Sequence, residues 1–379
     1  MILIRQAKVY APECLGVMDV LVAGSTIEAM ADHIEAPMGC TVIEAEGKFL
    51  TPGLIDQHEH IIGGGGEGSF HTRTPEIMLS AILKAGITTV VGLLGTDDMS
   101  RTVEDLLAKT KALNEEGITA YNLCGAYGLP SPTITGSVKK DIAFIQETLG
   151  LKLALSDHRS PNVTLAELIR LASDTRVAGM ISGKPGFITL HMGDGEGKLD
   201  LVFEALKTTD IPAKIFHPTH TTRTRELTLE GFKLAKLGGY MDITCEPEQP
   251  ELMPGILREA KKLGVPMDHL TFSSDGQGSW SNYDASGNLV QMGVTDVACM
   301  YEQLVNLLTV GEMDFSEALP FFTSNVAKAL ELYPKKGCVA SGSDADLLLI
   351  RPDFTLDTVI AKGKVMMEDA KLKAKGTYE

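Results

Sequence analysis

The middle of the chain alternates between short apolar, β-branched runs and segments with helical periodicity. Eight runs of the first kind follow one another, namely LTPGLIDQH, GITTVVGLLGT, GITAYNLCGAYG, LKLALSD, GFITLHMG, AKIFHPTH, GYMDITC and LTFSSDG. Helical segments such as PEIMLSAILKAG, TVEDLLAKTKAL and ELTLEGFKLAKLG lie between them. Apolar strands that alternate with helices predict a parallel sheet, and eight such units favour a closed (β/α)8 barrel of the TIM type over residues 51–330.

The two ends of the chain share a different pattern. Residues 1–50 contain short β-type runs separated by turns, as in ILIRQAKVYAP, DVLVAGSTIEAM and CTVIEAEGKFLTPG. Residues 331–379 repeat this style with DADLLLIRP and LDTVIAKGKVMM. Short strands bounded by Gly, Pro and Asp predict a small β-sandwich domain that is built from both termini.

Composition narrows the class of protein. A chain of 379 residues with 44% hydrophobic and 22% charged residues is typical of a soluble enzyme. The net charge of −16 argues against nucleic acid as a partner, because phosphate backbones require a basic surface. No apolar run is long enough to cross a bilayer, and the N-terminus lacks the features of a signal peptide. We therefore expect no membrane partner, a cytoplasmic location and six reduced cysteines.

The stretch LIDQHEHIIGGGGEGSF, at 54–70, supports two hypotheses. Gly63, Gly65 and Gly68 have the spacing G-x-G-x-x-G of a dinucleotide-binding turn, and Asp97 after the next strand keeps that alternative open. However, the run of four glycines exceeds that motif, which has no use for a His-x-His pair. We interpret residues 63–66 as a flexible turn that aims Glu67 inward.

Candidate metal ligands follow the ends of several predicted strands. In such barrels the active site lies at the carboxyl ends of the strands. His58 and His60 project from the same face of strand one, because they are two residues apart. The other strand-end residues are His191, His220 and Asp275. Imidazole and carboxylate are ligands of Zn²⁺ or a similar ion.

Lys152 lies among leucines in the fourth run. A lysine in this setting often only extends its ammonium group to the surface. Burial would instead lower its pKa and expose a neutral amine that can add carbon dioxide. The resulting carbamate is an anion that could bridge two metal ions, which an ammonium group cannot do.

Several motifs together resemble the metal-dependent amidohydrolase superfamily. PGLIDQHEH at 52–60 and GSDADLLLI at 342–350 match its two terminal signatures. Within the superfamily, the chain resembles the isoaspartyl dipeptidases over nearly its whole length. This narrower resemblance rests on GGGGEGSFHTRTPE, GAYGLPSPTITGS, LALSDHRS, HMGDG, HPTHTTR and SSDGQGSW.

The resemblance implies a binuclear zinc dipeptidase that hydrolyses the β-aspartyl peptide bond of dipeptides. His58, His60 and Asp275 would hold the more buried ion, and His191 and His220 would hold the other. Carboxylated Lys152 and a hydroxide would bridge the two ions. Asp275 would also accept the proton of the attacking hydroxide and pass it to the leaving amine. The resemblance also implies a homo-oligomer, and an octamer is the expected form.

The resemblance also implies a set of substrate-binding residues. These are Glu67, Thr96, Arg159, Arg223 and Ser279. Glu67 would pair with the substrate α-ammonium group, whereas both arginines and the serine would hold carboxylates. The loop residue Tyr127 would stabilise the oxyanion. Arginine forks match carboxylates bidentately, which agrees with this assignment.

Other readings of the same residues stay open at this point. Tyr127 could only pack its ring, and the two arginines could be surface ion-pair partners. Within the superfamily, the chemistry could be that of a cyclic-amide hydrolase of the dihydroorotase or hydantoinase type. A non-catalytic relative is a further alternative, although such proteins typically lose metal ligands and this chain retains all six.

Overall fold

The computed structural model describes residues 1–284 and 286–379. The strands, in chain order, are β1 (Ile2–Tyr10), β2 (Cys14–Ala23), β3 (Thr26–Ala31), β4 (Thr41–Glu44), β5 (Phe49–Pro52), β6 (Leu54–Glu59), β7 (Ile87–Gly92), β8 (Thr119–Gly125), β9 (Thr148–Leu155), β10 (Phe187–Met192), β11 (Phe216–Thr219), β12 (Met241–Thr244), β13 (Leu270–Ser273), β14 (Ser279–Tyr283), β15 (Leu289–Val294), β16 (Leu347–Ile350), β17 (Leu356–Ala361), β18 (Lys364–Glu368) and β19 (Lys371–Leu372). The α-helices are α1 (Leu79–Lys84), α2 (Val103–Glu116), α3 (Val138–Phe144), α4 (Leu165–Ser182), α5 (Asp200–Thr208), α6 (Arg225–Lys236), α7 (Leu252–Lys262), α8 (Cys299–Thr309), α9 (Phe315–Ala318) and α10 (Ser324–Ala329).

Strands β6 to β13 form the barrel, and each coincides with one of the eight apolar runs. Strands β6 to β11 lie in chain order in one parallel sheet, and β12 pairs in parallel with β13. The ring closes where the Asp275 amide donates to the His58 carbonyl (3.0 Å) and the His60 amide donates to the Gly276 carbonyl (2.9 Å). The predicted barrel fold is confirmed.

The barrel strands do not alternate between apolar and polar residues, because both of their faces are buried. Every residue of β6, β7, β9, β10, β11 and β13 is buried. One face is covered by helices and the other lines the barrel interior, which explains why the runs do not alternate between apolar and polar residues.

Side chains and glycines at the helix ends set the limits of the longer helices. The Thr102 hydroxyl accepts a hydrogen bond from the Asp105 amide at the start of α2. Thr164 and Glu167 form a capping box at the start of α4. Gly183 ends α4 with a φ of 68°, a left-handed conformation that costs glycine little. These caps satisfy backbone groups that have no partner inside the helix.

Both ends of the chain join in one sheet of nine strands. The order is β19-β18-β17-β16-β5-β1-β2-β3, and β4 pairs with β1. The junction between the N-terminal and C-terminal strands is the antiparallel pair β5 and β16. The sheet is therefore built from both termini, as the sequence predicts. The proposed boundaries at 50/51 and 330/331 stay a prediction.

A buried cluster of charges connects the C-terminal segment to the barrel. The Lys336 ammonium lies 2.5 Å from Asp346, 2.9 Å from Asp344 and 2.9 Å from the hydroxyl of Thr119 on β8. The Lys336 side chain is only 3% exposed. This ion pair is therefore shielded from solvent and is expected to matter for stability.

An unpredicted hairpin, β14–β15, follows the last barrel strand. Its Tyr283 ring packs against His158, with ring centroids 4.7 Å apart. The hairpin therefore lies at the end of the barrel where the strand-end histidines are found. None of the helices within residues 1–284 and 286–379 is long and apolar enough to cross a membrane.

Candidate metal and substrate site

The barrel brings all six predicted metal ligands to one end. His58 lies in β6, Lys152 in β9 and His191 in β10, whereas His60, His220 and Asp275 lie one or two residues beyond the ends of β6, β11 and β13. His220 and Asp275 have positive φ values of 57° and 54°. Such strained conformations in non-glycine residues occur mainly where function requires a particular side-chain direction.

Three of these residues form a compact group of potential ligand atoms. Nitrogen or oxygen atoms of His58, His220 and Asp275 all lie within 4.8 Å of one another. Asp275 Oδ1 is also 3.2 Å from His60 Nε2. A fourth imidazole, His191, has its ring centroid 4.5 Å from that of His220. The arrangement can therefore present the imidazoles of His58, His60 and His220 and one carboxylate to metal ions, whereas both ring nitrogens of His191 lie within hydrogen-bond distance of Tyr127 or Asp157.

The protonation states of the imidazoles agree with metal binding. Burial lowers the pKa values of His58, His191 and His220 well below the usual value, and nearby cationic groups lower them further. The neutral imidazole is the form that coordinates metal. His220 Nδ1 lies 2.7 Å from the Thr244 hydroxyl, and its buried Nε2 has no hydrogen-bond partner among the residues that the structure describes. These atoms fit a metal centre.

Lys152 has the environment that the carbamate hypothesis requires. Its side chain is fully buried, and its Nζ lies 3.0 Å from His58 Nε2. Burial lowers its pKa to about 7, although Asp275 partly opposes this shift. A substantial neutral fraction is thus present near neutral pH. Within the described residues, no carboxylate oxygen lies within 4.0 Å of this ammonium group.

Two buried carboxylates beneath the ligands were not anticipated from the sequence. Asp242 accepts hydrogen bonds of 2.6–2.9 Å from four side chains on neighbouring strands, namely Gln57, Thr219, Thr271 and Ser273. Asp56 accepts hydrogen bonds from the amides of His58 (3.1 Å) and Ser274 (3.2 Å). Together they hold the ends of β6, β11, β12 and β13 in register below the site.

Three predicted substrate-binding residues contact a fourth, Glu67. Its Oε1 accepts a hydrogen bond from the Thr96 hydroxyl (3.1 Å) and one from the Arg159 guanidinium group (3.1 Å). Its Oε2 accepts one from the Ser279 hydroxyl (2.9 Å). The sequence places these residues in four separate loops, and the structure brings them into direct contact.

The glycines of residues 63–66 allow their loop to pack closely against the backbone of residues 72–74. Gly63 and Gly65 have φ values of 78° and 76°, and a Cβ on either would lie within 2.5 Å of a backbone oxygen of Thr74 or Thr72. The loop is held by the Thr74 amide, which donates to the Gly64 carbonyl (2.9 Å), and by the buried Arg101. The loop is therefore held by hydrogen bonds, which differs from the flexible turn predicted from the sequence, and it directs Glu67 inward as predicted.

The dinucleotide-binding hypothesis is wrong. A phosphate-binding glycine turn leads directly into a helix whose N-terminus faces the pyrophosphate. Here Gly63, Gly65 and Gly68 are followed by a 3₁₀ turn at Phe70–Thr72, and the next α-helix begins only at Leu79. No helix terminus stands behind the glycines.

Asp157 is a site residue that sequence reasoning missed. It forms a bidentate pair with Arg159, with contacts of 2.9 and 2.8 Å. The same carboxylate lies 3.2 Å from His191 Nε2 and 3.5 Å from Arg223. Burial raises its pKa, but hydrogen bonds from Arg159 and His191 outweigh this effect and hold the pKa well below its usual range. Its position in SDHRS, after strand β9, was the available signal.

Tyr127 lies beside the ligand group. Its hydroxyl is 2.6 Å from His191 Nδ1, and its side chain is buried. Burial raises its pKa, so the phenol stays protonated at neutral pH and can donate a hydrogen bond. The Tyr127 hydroxyl therefore has a hydrogen-bond partner in the ligand group, and its role in catalysis stays a prediction.

A cavity of about 640 Å³ opens beside the ligand group. His220 and Asp275 line its inner end, and Arg223 and Trp280 line its sides. Glu67 and Arg159 are not part of this cavity, so the site has two separate sides that meet at the histidines.

Comparison with known proteins defines the family. Residues 49–366 match the amidohydrolase family. A crystal structure of beta-aspartyl dipeptidase from Fervidobacterium islandicum AW-1, in complex with beta-Asp-Leu dipeptide, is 39% identical, and the match covers 98% of both chains with a TM-score of 0.93. Dihydropyrimidinase from Brevibacillus agri NCHU1002 is 16% identical, with 99% of this chain and 96% of that chain covered and a TM-score of 0.69, and it shows the fold alone.

A third match is partial. Dihydroorotase from Staphylococcus aureus (strain Mu50 / ATCC 700699) is 33% identical over 113 residues, which cover 30% of this chain and 26% of that enzyme. The chain thus spans about a quarter of the length of the curated dihydroorotases that it matches.

The chain belongs to the amidohydrolase family and is a metal-dependent hydrolase. Within that family, its resemblance to the isoaspartyl (β-aspartyl) dipeptidases is confirmed.

Proposed function

We propose that this hydrolase is a dipeptidase that cleaves the β-linked peptide bond of isoaspartyl dipeptides with two Zn²⁺ ions bound. The observation that carries the proposal is the contact of 3.1 Å between the carboxylate of Glu67 and the guanidinium group of Arg159, next to the imidazole cluster. The aspartyl end of such a substrate has an ammonium and a carboxylate on one carbon atom. Two opposite, preorganised charges are the natural complement to that end.

The six strand-end residues would hold the metal ions. His58, His60 and Asp275 would bind one ion, His191 and His220 the other, and carboxylated Lys152 would bridge them. The neutral imidazoles and the low pKa of the buried lysine support this assignment. Such a pair of ions, when bound, lowers the pKa of water and polarises the scissile carbonyl group.

We assign proton transfer to Asp275. Its carboxylate lies within 4.0 Å of three imidazoles, at the point where the reacting atoms would meet. Asp275 would accept the proton of the attacking water and deliver it to the nitrogen of the leaving amine. Tyr127 would donate its phenolic hydrogen to the carbonyl oxygen as negative charge develops there.

The residues around Glu67, together with Arg223, would orient the substrate. Glu67 would pair with the substrate ammonium group, supported by the hydroxyl groups of Thr96 and Ser279. Arg159 would hold the α-carboxylate of the aspartyl residue. Arg223, on the cavity side, would hold the carboxylate of the leaving amino acid.

The test is hydrolysis of β-Asp-Leu, α-Asp-Leu and dihydroorotate by zinc-loaded protein. Selective cleavage of β-Asp-Leu is expected. In that peptide the scissile carbonyl belongs to the side chain of the aspartyl residue, so it lies farther from the ammonium group than the scissile carbonyl of α-Asp-Leu does. Hydrolysis of dihydroorotate alone would overturn the proposal in favour of cyclic-amide chemistry, which the partial match to dihydroorotases makes the competing function. Metal content well below one ion per chain, even after zinc and bicarbonate are added, would instead support a non-catalytic relative.

A further inference from the structure

The reaction centre separates two binding regions of different charge. On one side, Glu67 and Arg159 form the preorganised pair assigned to the aspartyl residue. On the other side, the cavity of about 640 Å³ starts at His220 and Asp275. If the aspartyl residue is bound by the pair, the leaving amino acid must lie in this cavity, because the scissile bond is between the two.

The cavity wall carries an excess of negative charge. Four carboxylates line it in addition to Asp275, namely Glu246, Glu248, Asp296 and Glu302. Among the described lining residues, Arg223 is the only arginine or lysine. In the described parts of the chain, none of the four carboxylates has a lysine, arginine or histidine nitrogen within 4.0 Å. Burial and the neighbouring Glu248 raise the pKa of Glu246, and Arg223 only partly opposes this shift.

The inner end of the cavity adjoins the proposed metal ligands. His220 is 4% exposed, and within the described residues its Nε2 has no hydrogen-bond partner, as the metal assignment requires. Arg223 reaches the same end, where its guanidinium group also faces Asp157 at 3.5 Å. Trp280, which is 43% exposed, adds an aromatic face to the wall. An amino acid whose carboxylate pairs with Arg223 would therefore extend its side chain along carboxylates and an indole ring.

We propose that the cavity beside His220 selects dipeptides whose leaving residue is cationic, so that β-Asp-Lys and β-Asp-Arg are the preferred substrates. The inference rests on the proposed function. A lysine or arginine side chain would place its apolar stem against Trp280 and its charge among the four carboxylates. An acidic leaving residue would meet repulsion from the same groups.

Matched substrates test the charge preference directly. We would measure kcat/KM of zinc-loaded protein for β-Asp-Lys, β-Asp-norleucine and β-Asp-Glu, since norleucine has the lysine stem without the ammonium group. At low salt, kcat/KM for β-Asp-Lys should exceed that for β-Asp-norleucine by about tenfold, and β-Asp-Glu should be the poorest substrate. Cleavage of all three at equal rates would overturn the preference and leave the dipeptidase function standing.

Variants test whether the wall residues cause the preference. In Glu246→Gln/Glu302→Gln, the ratio of kcat/KM for β-Asp-Lys to that for β-Asp-norleucine should fall toward one. Glu196→Gln removes one carboxylate from an exposed loop outside this cavity and should leave the ratio unchanged. An unchanged ratio in the double variant would overturn the role of the wall.

Calorimetry separates failure of this inference from failure of the proposed function. Titration with L-lysine and with L-norleucine measures binding in the cavity without turnover. Tighter binding of lysine, lost in the double variant, would support the cavity assignment even for a protein that cleaves no β-aspartyl peptide. Equal binding of the two amino acids would overturn it.

Discussion

Asp157→Asn is the most informative single change in the site. Oδ1 of Asp157 accepts hydrogen bonds from the backbone amide and Nε of Arg159, and Oδ2 accepts one from its terminal nitrogen at 2.8 Å. Oδ2 also lies 3.2 Å from His191 Nε2 and 3.5 Å from Arg223. Asparagine can keep the contacts of Oδ1. In place of Oδ2, asparagine has an NH2 group. This group is a donor and cannot accept the hydrogen bonds that Oδ2 accepts.

The size of the effect follows from the contacts that are lost. A hydrogen bond between charged groups contributes about 1.5–3 kcal/mol. The Arg159 side chain is only 16% exposed, so solvent screens this contact little, whereas Arg223 is 35% exposed and adds less. A loss of about 2 kcal/mol in substrate positioning corresponds to a decrease of roughly 30-fold in kcat/KM. We expect most of it in KM, because Asp157 would act through Arg159, the arginine proposed to hold the substrate.

The assay is steady-state hydrolysis of β-Asp-Leu by zinc-loaded native protein and variant. Bound zinc and the circular dichroism spectrum are measured in parallel, because Asp157 also contacts His191. Asp194→Asn is the matched control, since Asp194 is exposed in the loop after β10. A variant with native metal content and native kcat/KM would refute the assignment of Asp157 as a positioning residue.

Three further predictions concern metal binding, substrate recognition and stability. Lys152→Ala should lose bound zinc and activity together, with partial rescue by short carboxylic acids, and unchanged metal content would contradict the bridging role. Glu67→Gln should keep its metal but lower kcat/KM by about tenfold or more for substrates with a free α-amine, and equal kinetics would remove Glu67 from substrate binding. Lys336→Met should lower the free energy of unfolding by about 3–5 kcal/mol, because Asp346 is left buried without its partner. Lys214→Met, which breaks an exposed pair with Glu331, is its control and should cost less than about 1 kcal/mol by thermal circular dichroism.

The barrel, and the grouping of polar residues at one of its ends, could be predicted from the sequence for a topological reason. In a parallel barrel the carboxyl ends of all strands meet at one rim, so a polar residue after each apolar run is enough to indicate a shared site. His191 and Asp275 are far apart in the chain, yet each directly follows or ends a run with a clear β pattern. No knowledge of side-chain contacts was needed.

The residues that the sequence did not reveal depend on contacts between strands. Asp242 lies in the middle of the run GYMDITC, where a carboxylate is unexpected, and its four partners come from β6, β11 and β13. A pattern along one strand contains no information about the residue opposite. The hairpin β14–β15 was missed because its strands are largely exposed, so their hydrophobic pattern is weak. Helices α3 and α5 are also difficult to recognise in the sequence, because segments of 7 and 9 residues show little helical periodicity.

The positions of the charged residues indicate their roles, whereas the net charge of −16 does not. Arg159 and Arg223 both lie against one carboxylate, Asp157, which holds them beside the imidazole cluster. The carboxylates of the cavity wall have no such partners in the described residues, so their field acts on whatever enters. A β-aspartyl dipeptide has carboxylates close to the scissile bond, whereas a charge on its leaving side chain lies farther away. The arginines therefore match what all such substrates share, and the wall matches what distinguishes one substrate from another.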